Sequence, residues 1–455
     1  MKSNIEKQKT ESRKVGGSLW VGLSVASPRA NAPAQQLRAF HYYPCRSVLL
    51  AMMLCITIQT QAQVISLDSV LQIMNRQNPM LQEYDSKVKA WNTYTEGAKS
   101  WMAPMVGVGT FMTPYPGQTI MDEASKGSIM ISVEQNIPNP VRLKANQEYL
   151  SSRASVESES RSYQYNALRA EAKTYYYQWL VAEKKLNVLK ESERIIDLML
   201  KLARLRYPYN QGSLGNMYKV EGRRSEVQNM ILMTKGDIEE NQFRLKTLMN
   251  LSPDATILVD TATRVYYEVN SILNDTTALS AQRSDVKRID KTIRVMQLNQ
   301  QLQHYQSKPD FRIRFDHMQP IGDMPRQFTA MAMVSIPIAP WSSKMYKSEV
   351  KGMQYDIEAM KKGREALLIE ARGMLAGMAA KLGRMQQQLE NYNTKIIPAL
   401  RKNYETSMIA YEENREQLPV VIDGWEALNM AQLEYLDKVE EYYTMIVSYE
   451  KELEK

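Results

Sequence analysis

The residues of this chain best placed to do chemistry are four charges at every second position, Asp310, Arg312, Arg314 and Asp316, separated by Phe311, Ile313 and Phe315. Alternate side chains of an extended strand point to opposite faces. This spacing therefore predicts a ribbon with one charged, wet face and one apolar face. Such a ribbon suits a barrel with water inside, where the charges line a wet pore, or a soluble antiparallel sheet with one wet face. Catalysis has no comparable pattern. Beyond residue 62 the histidines are His304 and His317, there is no cysteine, and no Gly-rich phosphate loop or nucleophile-base pair stands out. The pairs Glu239-Glu240 and Glu440-Glu441 lie beside heptad positions and read as solvated helix faces. No enzymatic role and no cofactor is expected. Metal chemistry has one foothold, because 29 methionines, with Met331 and Met333 on one face of a strand, offer thioethers to soft cations. They form no compact cluster at ligand spacing, and scattered methionine ordinarily fills cores.

The element that must position these charges is a long helix. From Val141 to Tyr207 there is neither proline nor glycine, and Leu168, Ala172, Tyr175, Trp179, Ala182, Leu186, Leu189, Ile196, Leu200, Ala203 and Tyr207 follow an alternating four-three step. Glu193 alone breaks this heptad seam. Such a helix is roughly 100 Å long at 1.5 Å per residue and must lie against others of similar length. Before it, a short helix around Leu67, Val70, Leu71 and Met74 ends at Asn78-Pro79, and a second runs from about Met80 to Ser100. Two alternating runs follow, residues 103–116 and 127–137. After it, Pro208 and Gly212 force a reversal, and a helix carrying Met217, Val220, Val227, Ile231, Ile238, Leu245 and Leu248 returns to Pro253.

The same order then starts again. A helix from about Ser284 to Ser307 stops at Pro309, strands are expected at 309–319 and 327–338, and a second long helix from about Ser342 to Tyr411 is expected to kink at Pro398. A last helix with Trp425, Leu428, Tyr435, Val439, Tyr442, Ile446, Tyr449 and Leu453 closes the chain. Tyr207, Asn210 and Leu214 align with Tyr411, Asn414 and Leu418 at a constant offset. The organisation is thus 63–253 as a first repeat, 254–282 as a mixed connector with a β-like Ile257-Leu258-Val259, and 283–455 as a second repeat. The two shorter helices of each repeat together match its long one, so all four strands emerge at one end and both turns lie at the other. The expected fold is mainly α, with long antiparallel coiled-coil helices and a β part.

The formal net charge is +8, but residues 1–62, with eight Lys/Arg and two Asp/Glu, hold most of it, leaving +2 elsewhere. Nucleic acid is therefore not an expected partner. Residues 1–62 read as an export signal with a long extension, in which Arg46 precedes the apolar Val48–Ile58 and Thr60-Gln61-Ala62 supplies the cleavage site. Both Cys45 and Cys55 fall there. No later stretch is apolar and long enough for a transmembrane helix. An exported chain can still cross a membrane as a β-barrel, and four strands can do so only by joining other copies, since open edges leave backbone groups unpaired in hydrocarbon.

Leu67-Asp68-Ser69-Val70-Leu71 followed by Asn78-Pro79-Met80-Leu81, the Gln135-Asn136-Ile137-Pro138 element and the Tyr209-x-x-Gly212 turn resemble landmarks of the TolC-type outer membrane efflux factors. The resemblance covers residues 66–453. It implies a homotrimer with a 12-stranded outer membrane barrel above a periplasmic tunnel of 12 helices. It also implies a periplasmic adaptor and an inner-membrane pump of the RND type as partners, passing drugs, toxic organics or heavy-metal ions. In that family a gate forms near the helical tips from Tyr/Arg contacts and acidic rings. Tyr207, Gly212, Tyr411, Asn414, Arg415 and Asp423 are the matching candidates, while Asp310, Arg312, Arg314 and Asp316 are candidates for the barrel lumen. Gly212 is expected at φ > 0, and Asp423 is expected to face the pore. The match is incomplete, since Glu416 stands where the first turn has Gly212 and one Asp follows the second turn. Read without the family, Arg415 and Asp423 are solvated helix-end charges. The rival class is a periplasmic adaptor or another exported coiled-coil protein, although an adaptor carries one such hairpin where this chain has two.

Overall fold

Asparagine-proline pairs set where the helices begin. In the computed structural model, which describes residues 63–259, 267, 276–337 and 339–454, Asn78 and Asn139 cap the helices that start at Pro79 and Pro140. Their side chains accept from the backbone N–H of Met80 and Val141, and proline at the first helical position loses no intrahelical bond. The expected export segment and most of the 254–282 connector lie outside the described residues.

The chain runs β1 (Gln63–Ile65), α1 (Leu67–Gln77), α2 (Pro79–Glu96), β2 (Met105–Phe111), β3 (Ser128–Ile137), α3 (Pro140–Arg206) and α4 (Leu214–Leu248). It continues with β4 (Ile257–Val259), α5 (Thr276–Gln282), α6 (Ser284–His304), β5 (Asp310–Pro320), β6 (Gln327–Ser335), α7 (Pro340–Asn391), α8 (Ile397–Glu412) and α9 (Leu418–Leu453). The order is that read from the sequence. Strand β2 is shorter than the expected 103–116, and β1 was not anticipated; it pairs in parallel with β4, the β-like run of the connector. Between α7 and α8 lies a π-helical turn, Tyr392–Ile396, directly before Pro398. The proline cannot donate to the carbonyl four residues back, and the widened turn accommodates that loss within one long helical path.

Helix α3 has 67 residues, so it is roughly 100 Å long. Its seam is buried as the heptad pattern requires, with Trp179, Leu189 and Ile196 shielded from solvent, while Tyr175 is only half-buried. Tyr207 is the exception. It is 45% exposed because Pro208 turns the chain into a single 3-10 turn, Tyr207–Tyr209, outside the seam. Full burial of each large apolar side chain contributes about 1.5–3 kcal/mol, so packing along this seam, more than intrinsic propensity, stabilises the helix.

Polar contacts set the register of α3 against α9, which joins the two repeats. Asn166 donates to the Lys451 carbonyl, Ser192 to Asn429 Oδ1, and Lys185 Nζ sits 2.7 Å from Asp437 and 2.9 Å from Glu440. Burial works against charge on Lys185, but hydrogen bonds and attraction from Asp437 and Glu440 prevail and raise its pKa. The repeat is also visible in the clasps that close each half. Asn78 Nδ2 donates to the Leu248 carbonyl at 2.9 Å, and Arg283 Nη1 to the Glu452 carbonyl at 3.0 Å. Arg283 also grips Asp285 and Glu452 side chains, which overcome the burial penalty and raise its pKa. Asn250 and Glu454, which follow the two return helices, both take left-handed φ, 54° and 56°.

The four main strands form one antiparallel sheet in the order β2-β3-β5-β6, with both outer strands unpaired on one side among the described residues. The β3–β5 pairing joins the repeats, placing Val133 opposite Phe315 and Glu134 opposite Arg314. No described helix is long and apolar enough to cross a membrane.

Candidate functional site

The sheet separates its side chains by chemistry. One face carries Val106, Val108, Ile129, Ile131, Val133, Phe311, Ile313, Phe315 and Phe328, all at least 40% exposed. Its opposite face carries Glu134, Asp310, Arg312, Arg314 and Asp316, so the four expected lumen residues do share one side. They are not independent charges. Arg314 Nε donates to Asp316 at 2.8 Å, Arg312 Nη1 lies 2.9 Å from Glu134 and its Nε donates to Asn136, and Arg142 Nη1 donates to Asp310 Oδ2 at 2.9 Å. Asp316 is buried at 3% exposure, and only its contact with Arg314 makes a buried carboxylate tolerable. At the helical end of this face a cavity of about 520 Å³ is lined by Ser100, Met102, Asn136, Arg142, Asp310 and Met333. Exposed Trp101 and Trp341 flank the sheet just before β2 and just after β6.

The far end holds the two turns. Asn210 and Asn414 have φ of 57° and 61°, so each turn reverses through a left-handed asparagine. Gly212 was expected to supply that conformation and does not. Its φ is not in the left-handed region, and an added Cβ would meet nothing within 4 Å. Asparagine fills the role because its short polar side chain tolerates the geometry. A residue the sequence reading missed connects the turns. Arg206, at the end of α3, donates from Nη1 to the Tyr411 carbonyl at 2.7 Å and from Nη2 to the Glu412 carbonyl at 3.0 Å, with its guanidinium 4.1 Å from the Tyr411 ring centroid. One side chain thus caps the end of α8 and stacks on its aromatic residue. Nothing in the sequence marks it apart from other basic residues in last turns. Burial raises the pKa of Tyr411, and the nearby Arg206 charge opposes the shift.

A cavity of about 660 Å³ lies between the turns, lined by Arg206, Asn210, Gly212, Tyr411, Asn414 and Glu416 among others. Four of the six tip candidates lie apart from this latch. Tyr207 is exposed, Gly212 is conformationally ordinary, and Arg415 is 3.2 Å from Glu413 rather than on Tyr411. Asp423 is 3.1 Å from Lys219, so it is a paired rather than an uncompensated charge. The Lys219–Asp423 separation of 204 residues makes them equivalent positions of the two repeats. Among the described residues no group of three or more His, Cys, Asp or Glu is placed to hold a metal ion.

No family model and no curated protein matches the chain in sequence. Solved structures do match it in fold. The outer-membrane channel OprN aligns with a TM-score of 0.69 at 14% identity, covering 85% of this chain and 89% of that one. The CmeC outer membrane channel of Campylobacter jejuni aligns at 0.67 and 10% identity over 92% and 94%. The open state of the MtrE outer membrane channel of Neisseria gonorrhoeae aligns at 0.65 and 12% over 85% and 88%. Shared architecture spans nearly the whole of these channels.

Proposed function

We propose that the chain is an outer membrane exit duct, in which three copies close a 12-stranded barrel above a helical tunnel and pass small molecules outward without chemical change. One observation carries this reading: a sheet with one exposed apolar face, one internally paired charged face and two unpaired edges. Hydrocarbon suits the first face, water the second, and neighbouring copies the edges. The channel fold of the aligned structures supports it. Export to the outer membrane, docking of the tips on a periplasmic adaptor, and supply by an inner-membrane pump of the RND type belong to the same proposal. Asp310, Arg312, Arg314 and Asp316 line the barrel. The tip is a contact and gating region where Arg206 latches the first hairpin to Tyr411 of the second, with Asn414 shaping the turn.

The test is purification in detergent, chemical cross-linking and reconstitution in planar bilayers. A trimer that conducts supports the duct. A chain that stays soluble and monomeric without detergent is instead an adaptor or another exported coiled-coil protein.

A further inference from the structure

The charged face of the sheet contains a second chemistry. By register, Met105, Met130, Met318, Met331 and Met333 all lie on it, and the opposite face of the four strands carries no methionine. The apolar face uses Val, Ile and Phe to meet its surroundings, whereas the face with Glu134, Arg312 and Asp316 draws most of its apolar side chains from methionine, with Phe111 and Pro320 at its far end. Core filling does not explain that division, because both faces belong to the same strands and the same turns of sequence.

Two of these thioethers are direct cross-strand partners, Met130 on β3 and Met318 on β5. Directly opposed residues have Cβ atoms roughly 5 Å apart, so two flexible methionine side chains can turn both sulfurs toward one point. On the β2 side the neighbour of Met130 is Gly109. An added Cβ at Gly109 would meet nothing within 4 Å, which leaves space beside the pair. Met318 is only 8% exposed, so a bound ion would be largely dehydrated on that side. Thioethers are neutral, soft and need no deprotonation, which favours a monovalent copper or silver ion over hard cations. His317 is on the other face and cannot join.

We infer that Met130 and Met318 form a two-thioether site for a soft monovalent cation on the wall of the duct, making such ions a class of its cargo. As cargo, this rests on the reading of the charged face as the water-filled side. The remaining methionines of the face give weaker contacts along the same wall.

The test uses the purified assembly in thiol-free and chloride-free buffer, with Ag(I) as probe. Isothermal titration should show a saturable site of one ion per protomer that is lost in the volume-conserving Met130→Leu/Met318→Leu double variant and kept in Met331→Leu/Met333→Leu. X-ray absorption at the silver edge should show sulfur scatterers in the wild type and in Met331→Leu/Met333→Leu, but not in Met130→Leu/Met318→Leu. Affinity should be the same between about pH 5.5 and 7.5, since a histidine site would weaken across that range. Absence of binding in the wild type, or an unchanged isotherm in the first double variant, overturns the site. Potassium conductance is recorded on the same preparations: pores without silver binding refute the site and leave the duct standing, and silver binding without pores refutes the duct and the cargo claim together.

Discussion

Removing the Arg206 guanidinium should loosen the tip by an amount the geometry sets. Its two hydrogen bonds to the Tyr411 and Glu412 carbonyls are charge-assisted, and the side chain also stacks at 4.1 Å on the Tyr411 ring. Charged hydrogen bonds are worth about 1.5–3 kcal/mol when shielded, and partial exposure here reduces each to about 1 kcal/mol. The stacking adds about 0.5–1 kcal/mol. If the hairpins separate when the tip opens, Arg206→Ala should shift the closed-to-open balance by about 2–3 kcal/mol, or roughly 30- to 150-fold. Single-channel recording in planar bilayers reads this as longer and more frequent openings, with the trimer first verified by size. Arg206→Lys should fall between, because lysine keeps a cation near the ring but cannot fork to two carbonyls. An unchanged open probability in a correctly assembled Arg206→Ala protein would refute the latch.

Gly212→Val should leave thermal stability and adaptor docking nearly unchanged, whereas Asn210→Val should cost about 1–2 kcal/mol because it forces a β-branched residue into the left-handed region. Lys219→Ala should raise the cation preference of the pore by freeing Asp423, and Asp423→Asn should lower it by freeing Lys219; unchanged selectivity in both bilayer measurements would place the pair away from the conduction path. The raised pKa of Lys185 gives a signed pH effect. Its contribution is fully present below the ordinary lysine pKa and fades as pH rises through the folded value, so the difference in thermal midpoint between wild type and Lys185→Met should shrink at strongly alkaline pH. Trp179→Ala, which opens a cavity in a fully buried seam, should cost about 3–5 kcal/mol in chemical denaturation.

Periodicity made the architecture readable. The four-three spacing from Leu168 to Ala203 and the alternation from Asp310 to Asp316 each state a period and a face, and Asn-Pro pairs mark where elements start. The internal repeat then ordered them. The tip was less legible because its contacts join residues about 205 positions apart, as in Arg206 to Tyr411, and a basic residue in a last helical turn looks the same whether or not it has such a partner. Gly212 drew the left-handed assignment through glycine's general permissiveness, when the chain had placed asparagine at the same step of both turns. The Met130–Met318 pairing was likewise hidden, because register across β3 and β5 is a property of the sheet and not of either strand.

The unpaired outer edges of β2 and β6 have a consequence for biogenesis. In the proposed duct a lone protomer could not enter hydrocarbon with those backbone groups bare, so the barrel would have no stable monomeric form. With three copies per barrel, as proposed, insertion would be third order in protomer at low concentration, and the helical shafts, which are already amphipathic in water, would have to find one another before the strands commit. The heat resistance of the assembly would follow mass action, rising with the amount of chain present, and a surplus of edge-deficient protomer would act as a dominant poison of whole barrels.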